Sequence, residues 1–231
     1  MRVLLDSHEE IRCGEETRVI PDILYIQQQW ELLDSAGVTH DVLKVAIGRF
    51  IAEIIKNHGS YARRFCNKDP LTMTFVSYLH EMFPRAKYIL MLRDGRATVY
   101  SILKRRVPVE GFGLKEPEAS NDILGDKYCL PVYYEKLVLY PKEEMVKIFN
   151  FLKVPWSERV LHHHLLVGSE ISLSPLEFST SQVKKPINRN ALNAWVGFYS
   201  NSTLEKMKSL APMLTKLGYN ATDSNPDYAY L

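Results

Sequence analysis

The run from Lys87 to Leu92 (KYILML) is apolar, bounded by charge, and too short for a helix of ordinary length. Such a run suits a strand buried on both faces, which is the habit of parallel sheets. Arg93-Asp94-Gly95-Arg96 follows at once and turns the chain, and Ala97 to Arg106 then reads as a helix. A strand, a basic turn and a helix make half of a parallel crossover unit, and parallel strands cannot be closed by a simple hairpin. Tyr128 to Tyr134 reads as a second strand. The helix Pro141 to Leu152 comes next, with Met145, Ile148, Phe149 and Leu152 on one face. Val42 to Asn57 is amphipathic, carrying Leu43, Ala46, Ile47, Phe50, Ile54 and Ile55 at helical spacing. Asp69-Pro70 reads as the N-cap and first position of a helix bearing Met73, Val76, Leu79 and Phe83. Thr203 to Leu217 is helical in pattern. Alternating strands and helices predict an α/β fold with a parallel sheet, whose ligands sit at the carboxyl ends of the strands. No repeat or linker divides residues 1–231, which read as a single domain.

Composition narrows the partners. Lys and Arg total 29 and Asp and Glu 27, a net charge of +2 that is far from a nucleic-acid footprint. No stretch approaches the roughly 18 apolar residues of a membrane span. Asp6, Glu9 and Glu10 crowd the start and exclude a signal peptide there. Read literally, this is a soluble chain that is not secreted. Two features point the other way: the acceptor sequences Asn201-Ser202-Thr203 and Asn220-Ala221-Thr222, and an odd set of cysteines at 13, 66 and 129 without metal-type spacing. With a possible disulfide, they suggest a lumenal protein.

Several groups have the chemistry of an anion site. Arg93, Arg96, Arg105 and Arg106 flank one turn and helix, and Ser101 and Arg105 share a helical face, so they suit a phosphate or form a solvated basic face. Glu15-Glu16 is either a polar loop or the source of a general base. Lys68 precedes a helix N-terminus that favours anions, or is a plain loop lysine. Ser179-Thr180-Ser181-Gln182 with Lys184-Lys185-Pro186 carries the same two readings. His162, His163 and His164 are consecutive and point different ways, a poor arrangement for a metal.

In order along the chain, Asp6 to Pro21 (DSHEEIRCGEETRVIP), Cys66 to Pro70 (CNKDP) and Met91 to Ser101 (MLRDGRATVYS) resemble successive blocks of the tyrosylprotein sulfotransferases. Tyr133 to Leu139, Val154-Pro155-Trp156, Ser179 to Asn188, Trp195-Val196-Gly197 and Ala211 to Tyr219 continue the resemblance. It implies a P-loop-like α/β sulfotransferase fold. The implied activity is transfer of a sulfuryl group from 3'-phosphoadenosine 5'-phosphosulfate (PAPS), without a metal, to tyrosines in acidic stretches of secreted and membrane proteins. It also implies a homodimer, anchored in the membrane and facing the Golgi lumen. By motif, Glu16 is the catalytic base, and Lys68 and Ser179 stabilise the transition state. Arg93, Ser101, Arg105 and Tyr134 contact the nucleotide, as does the loop Ser179, Thr180, Ser181, Gln182, Val183, Lys184, Lys185, Pro186, Ile187 and Asn188. Arg18, Val19, Ile20, Pro21 and Asp22 lie along the substrate peptide. A Cys13–Cys66 disulfide and glycosylation at Asn201 and Asn220 are implied too.

The chain departs from the family pattern in places. The anchor, first core strand and Pro-Arg-Ser-Gly-Thr-Thr phosphosulfate loop of the family would precede Met1. Between Gly111 and Cys129 the chain is shorter by about a helix, roughly a dozen residues, and the missing stretch would hold a partner for Cys129. Pro131 lies within a predicted strand, Ala194 replaces a nucleotide-contacting Lys, and Asp22 replaces an Arg near the peptide. Two readings follow: a protein-tyrosine sulfotransferase, or a shortened homologue without catalysis that at most holds nucleotide or dimerises. An unrelated P-loop nucleotide binder would explain neither CGEETR nor CNKDP.

Overall fold

A computed structural model describes residues 1–107, 124–177 and 180–231, apart from the side chains of Thr180 and Ser181. The expected strand forms as β3 (Tyr88–Leu92) and lies parallel to β4 (Cys129–Tyr133), with Leu92 opposite Tyr133. A second parallel pair, β1 (Ile11–Arg12) and β2 (Arg64–Phe65), sets Arg12 opposite Phe65. Among the described residues these are two separate two-stranded sheets. Pro131 is accommodated because the bonds of a strand alternate in direction. Tyr88 donates its N–H to Tyr128 O at 2.7 Å, which puts Leu130 and Val132 on the bonding side and turns Pro131 away from β3.

Helices pack around these strands: α1 (Arg2–Asp6), α2 (Val19–Tyr25), α3 (Trp30–Ser35), α4 (His40–Asn57), α5 (Val76–Met82), α6 (Gly95–Arg105), α7 (Tyr134–Leu139), α8 (Pro141–Leu152), α9 (Thr180–Val183), α10 (Asn201–Leu210) and α11 (Pro212–Lys216). The α8 face foreseen from its spacing, Met145, Ile148 and Phe149, joins Leu4, Leu5, Val132 and Val160 in one buried cluster. Helix α4 buries Leu43, Ile47 and Ile51 against Ile20 and Leu24 of α2 and Tyr78 of α5.

Three expectations need correction. Asp69 does stand at the N-cap position, but its side chain caps nothing there, and Pro70–Phe75 is a 3-10 turn that leads into α5. Its carboxylate is taken by the loop before α2 instead. The predicted helix from Thr203 to Leu217 breaks at Ala211, because Pro212 has no N–H to continue the ladder and starts α11 instead. Helix α6 starts at Gly95, since Asp94 caps it by accepting from Arg96 N at 2.8 Å. The shortened stretch after Gly111 lies largely outside the described residues.

Candidate active site

Two loops meet at the end of the β1–β2 pair. One leaves Arg12 and runs through Cys13 to Arg18; the other leaves Phe65 and runs through Cys66 to Asp69. The pairing of Arg12 with Phe65 sets the next residues side by side, and Cys13 and Cys66 are joined as a disulfide with Cα atoms 4.4 Å apart. Beyond it the Lys68 Nζ donates to Glu16 Oε1 in an ion pair that is partly buried. The Glu16 backbone N–H is held in turn by Glu177 Oε1 at 3.1 Å. Glu177 also faces Arg2, which pairs with Asp6 at 3.2 Å. Asp6 Oδ1 accepts from Cys13 N at 2.6 Å, and burial raises its carboxyl pKa although that bond and the two neighbouring guanidiniums oppose the rise. The loop that carries Glu16 is thus held from below by α1 and from the side by residues 172–177.

Of the residues assigned to the peptide, the structure separates two kinds. Ile20 and Pro21 are buried and serve the α2–α4 core, whereas Arg18, Val19 and Asp22 are exposed. The Arg18 guanidinium donates to Leu176 O at 2.9 Å.

The carboxyl ends of β3 and β4 form a second corner. Register places Arg93 and Tyr134 just beyond opposed residues, and the Arg93 guanidinium stacks over the Tyr134 ring at 4.4 Å. Arg93 Nε is buried and has no protein partner among the described residues, an orphan donor at a strand end that suits an anionic ligand. Ser101 and Arg105 follow on α6, one turn apart and half-buried. Arg96 has a different fate. It is 2% exposed, pairs with Asp94 through Nη2 at 2.7 Å, and donates to the carbonyls of Ala221 and Asp223 at 3.1 and 2.6 Å. Its guanidinium also stacks on Trp195 at 4.4 Å. Tyr228 OH donates to Asp94 Oδ2 at 2.9 Å, Asp94 N donates to Glu135 Oε1, and Tyr219 OH donates to Glu135 Oε2. Burial raises the pKa of Glu135, Tyr219 and Tyr228. This buried lattice ties the turn after β3 to the C-terminal segment and takes up Arg96, while Arg93 stacks on Tyr134 outside it.

Ser179 lies outside the described residues, as do the side chains of Thr180 and Ser181. The rest of that loop borders an open cleft of about 770 Å³ whose lining includes Gln182, Lys185, Asn188 and Arg189. Lys184, Lys185, Pro186 and Asn188 are exposed, while Ile187 packs against the core and Val183 is half-buried. Cation donors, amides and an open volume of that order fit a nucleotide bisphosphate. Asn201 and Asn220 are both exposed. No group of three metal-ligating side chains occurs among the described residues, and His163 is buried with its pKa pulled down to about 4, first by burial and then by His164. Cys129 is a buried free thiol raised by burial.

Sequence reading missed Asp69, Glu177 and the Asp94–Glu135 lattice. Their partners are far away in the chain, Glu177 lying 161 positions from Glu16 and Asp69 lying 51 from Arg18. No local periodicity marks such residues.

The sequence profile described as the sulfotransferase family matches residues 1–158. Over 99% of this chain there is 48% identity to Protein-tyrosine sulfotransferase A of Caenorhabditis elegans, of which 66% is covered. Identity is 44% to Protein-tyrosine sulfotransferase 2 of Gallus gallus, over 100% of this chain and 68% of that protein. To Protein-tyrosine sulfotransferase 1 of Homo sapiens it is again 44%, over 99% and 68%. The chain thus spans about two thirds of the length of these relatives. Among solved structures, the sulfotransferase domain from the curacin biosynthetic pathway shares the fold at a TM-score of 0.65 and 14% identity, over 95% of this chain and 92% of that one. Identity of this order across nearly every residue, on a shared α/β scaffold, means that the chain belongs to the sulfotransferase family, among the protein-tyrosine sulfotransferases.

Proposed function

We propose that this chain transfers the sulfuryl group of PAPS to tyrosine hydroxyls in acidic segments of secretory-pathway proteins, acting in the Golgi lumen as a homodimer. The observation that carries the reading is the Glu16–Lys68 pair, a carboxylate and an ammonium held together by two tethered loops. A tyrosine hydroxyl with a pKa of about 10 is a poor nucleophile near neutrality. Glu16 accepts its proton as the phenol oxygen forms a bond to sulfur. The bond from sulfur to the bridging oxygen of the nucleotide breaks at the same time, and negative charge grows on that oxygen. Lys68 donates to it, and Ser179 is assigned the same task. At rest Lys68 is engaged by Glu16, so recruitment of the ammonium by the donor frees the carboxylate to act as base. A positioned base typically contributes about 10²–10⁴-fold.

Arg93, with its orphan Nε, and Ser101 and Arg105 on α6 suit the nucleotide 3'-phosphate, and the cleft beside Lys185 suits the rest of the nucleotide. The exposed Arg18 suits an acidic neighbour of the target tyrosine, while Asp22 on the next turn disfavours acid there. A disulfide and two exposed acceptor asparagines support a lumenal setting. The test is incubation with labelled PAPS and an acidic tyrosine peptide. Transfer is expected, with loss of transfer but not of nucleotide binding in Glu16→Ala. Absence of transfer at high enzyme concentration sinks the activity; retained transfer in Glu16→Ala sinks the base assignment.

A further inference from the structure

Asp69 is 4% exposed, and among the described residues no cation pairs with it. Its carboxylate instead gathers four donors. Oδ2 accepts from Thr17 N at 3.2 Å, Thr17 Oγ1 at 2.6 Å and Asn67 Nδ2 at 2.7 Å; Oδ1 accepts from Arg18 N at 2.9 Å. Its own carbonyl anchors it to the following turn through Thr72 N and Oγ1. Only a carboxylate of this size can accept all four, since an amide would turn a donor toward donors.

The placement matters more than the count. Thr17 and Arg18 directly follow Glu16, and Asp69 directly follows Lys68. The disulfide clamps the two loops just before the reacting side chains, and the Asp69 carboxylate clamps them just after. Arg18 sits at φ 58 and ψ −35, a conformation that a non-glycine residue keeps only when its surroundings impose it. Val19 N donates to Thr17 O at 2.6 Å across it and closes the turn, and the bond from the Arg18 N–H to Asp69 fixes that turn against the second loop.

We propose that Asp69 is a positioning residue that acts through Glu16 and Lys68, holding the base loop where the carboxylate and the ammonium meet. Its kinetic consequence rests on the sulfotransferase reading; its structural consequence does not. In the full chain, Asp69→Asn should lower kcat by about 10–100-fold while the KM for PAPS stays within about twofold, because misplacement of the reacting groups costs rate more than donor binding. In a Glu16→Gln background the same change should cost clearly less, the remainder being the part that acts through Lys68. The second readout is competitive acetylation of Lys68 by acetic anhydride, followed by mass spectrometry. Glu16→Gln should raise it by freeing the ammonium, Asp69→Asn should raise it equally, and the double variant no more than either. Unchanged Lys68 labelling in Asp69→Asn, or kinetic effects that add in full to those of Glu16→Gln, would overturn the proposal. If the wild-type chain transfers no sulfuryl group, the proposed function fails and the labelling still decides the clamp. Should Asp69→Asn not fold, Thr17→Val removes the Oγ1 donation to Asp69, together with the Ile20 N–H bond that Oγ1 accepts at 3.3 Å, and carries both readouts, with a loss of about fivefold expected for the Asp69 hydrogen bond.

Discussion

Replacing Cys13 and Cys66 together by Ala tests how much of the site is held by a covalent tie. The bond closes a sequence separation of 53, a segment that contains α2, α3 and α4. In the chain-entropy account a loop of that length removes about 4 kcal/mol worth of freedom from the unfolded chain. For a domain of this size each kcal/mol moves the melting temperature by about 2–4 °C, so a fall of about 8–16 °C is expected. Thermal unfolding of the oxidised wild type, the reduced wild type and the double variant supplies the comparison, and the last two should agree. Thiol titration gives an independent check: the denatured oxidised chain should report only Cys129. Ala is chosen over Ser because Cys13 is buried in the main core, where a hydroxyl would add a desolvation cost of its own. A melting temperature within about 2 °C of wild type would show that residual structure already restricts the unfolded chain without the bond. The chain-entropy reasoning would then be refuted.

Three further outcomes follow from the packing. Arg96→Met leaves the Asp94 carboxylate buried without its cation and should cost about 3–5 kcal/mol in urea unfolding; a cost below about 1 kcal/mol would mean that Tyr228 and the backbone donors suffice. Gly14→Ala places a Cβ 2.9 Å from His58 Nδ1 and 3.0 Å from its carbonyl, at φ +67, and should cost about 2 kcal/mol, read by the same assay. His163 titrates near 6.5 when unfolded but only at about 4 when folded, so between those values the unfolded chain binds more protons. Its contribution is complete above pH 6.5 and is lost as pH falls toward 4, by at most about 3 kcal/mol. His163→Leu should flatten that part of the stability profile, and an unchanged slope would refute the assignment.

The strand from Lys87 and the body of the helix to Arg106 were readable because an apolar run and a helical pattern are local signals, whereas the Asp94 cap and the start at Gly95 were read as a turn. Helix α8 was readable for the same reason, with Pro141 at its first turn and a single apolar face. Arg93 and Arg96 were not separable by sequence. Both are arginines at one turn, and only the distant Trp195, Ala221 and Asp223 draw Arg96 inward, while Arg93 stacks on Tyr134. Asp69 before a proline has the local signature of a cap, and the cap geometry was overridden by a stronger offer from three N–H groups and a hydroxyl in other parts of the two loops. Local rules fail where a long-range partner gives a charged group more hydrogen bonds than its own helix can.

That failure is informative about the site. A carboxylate buried without a cation is costly unless its donors are complete. Here three of the four donors, the two backbone N–H groups and the Thr17 hydroxyl, come from the loop that carries Glu16. The bonds that offset the cost of burying Asp69 are therefore also bonds that order the residues directly after Glu16. The lattice around Asp94 repeats the arrangement at the other corner, where Glu135 accepts from the backbone of the turn that aims Arg93. In both corners a buried acid fixes the backbone next to a candidate site residue, Glu16 in one and Arg93 in the other. Placement of the Glu16–Lys68 pair thus depends on Asp69, which is why, on the proposed reading, a conservative change at Asp69 should lower rate, whereas one at Asp94, beside Arg93, should weaken nucleotide binding.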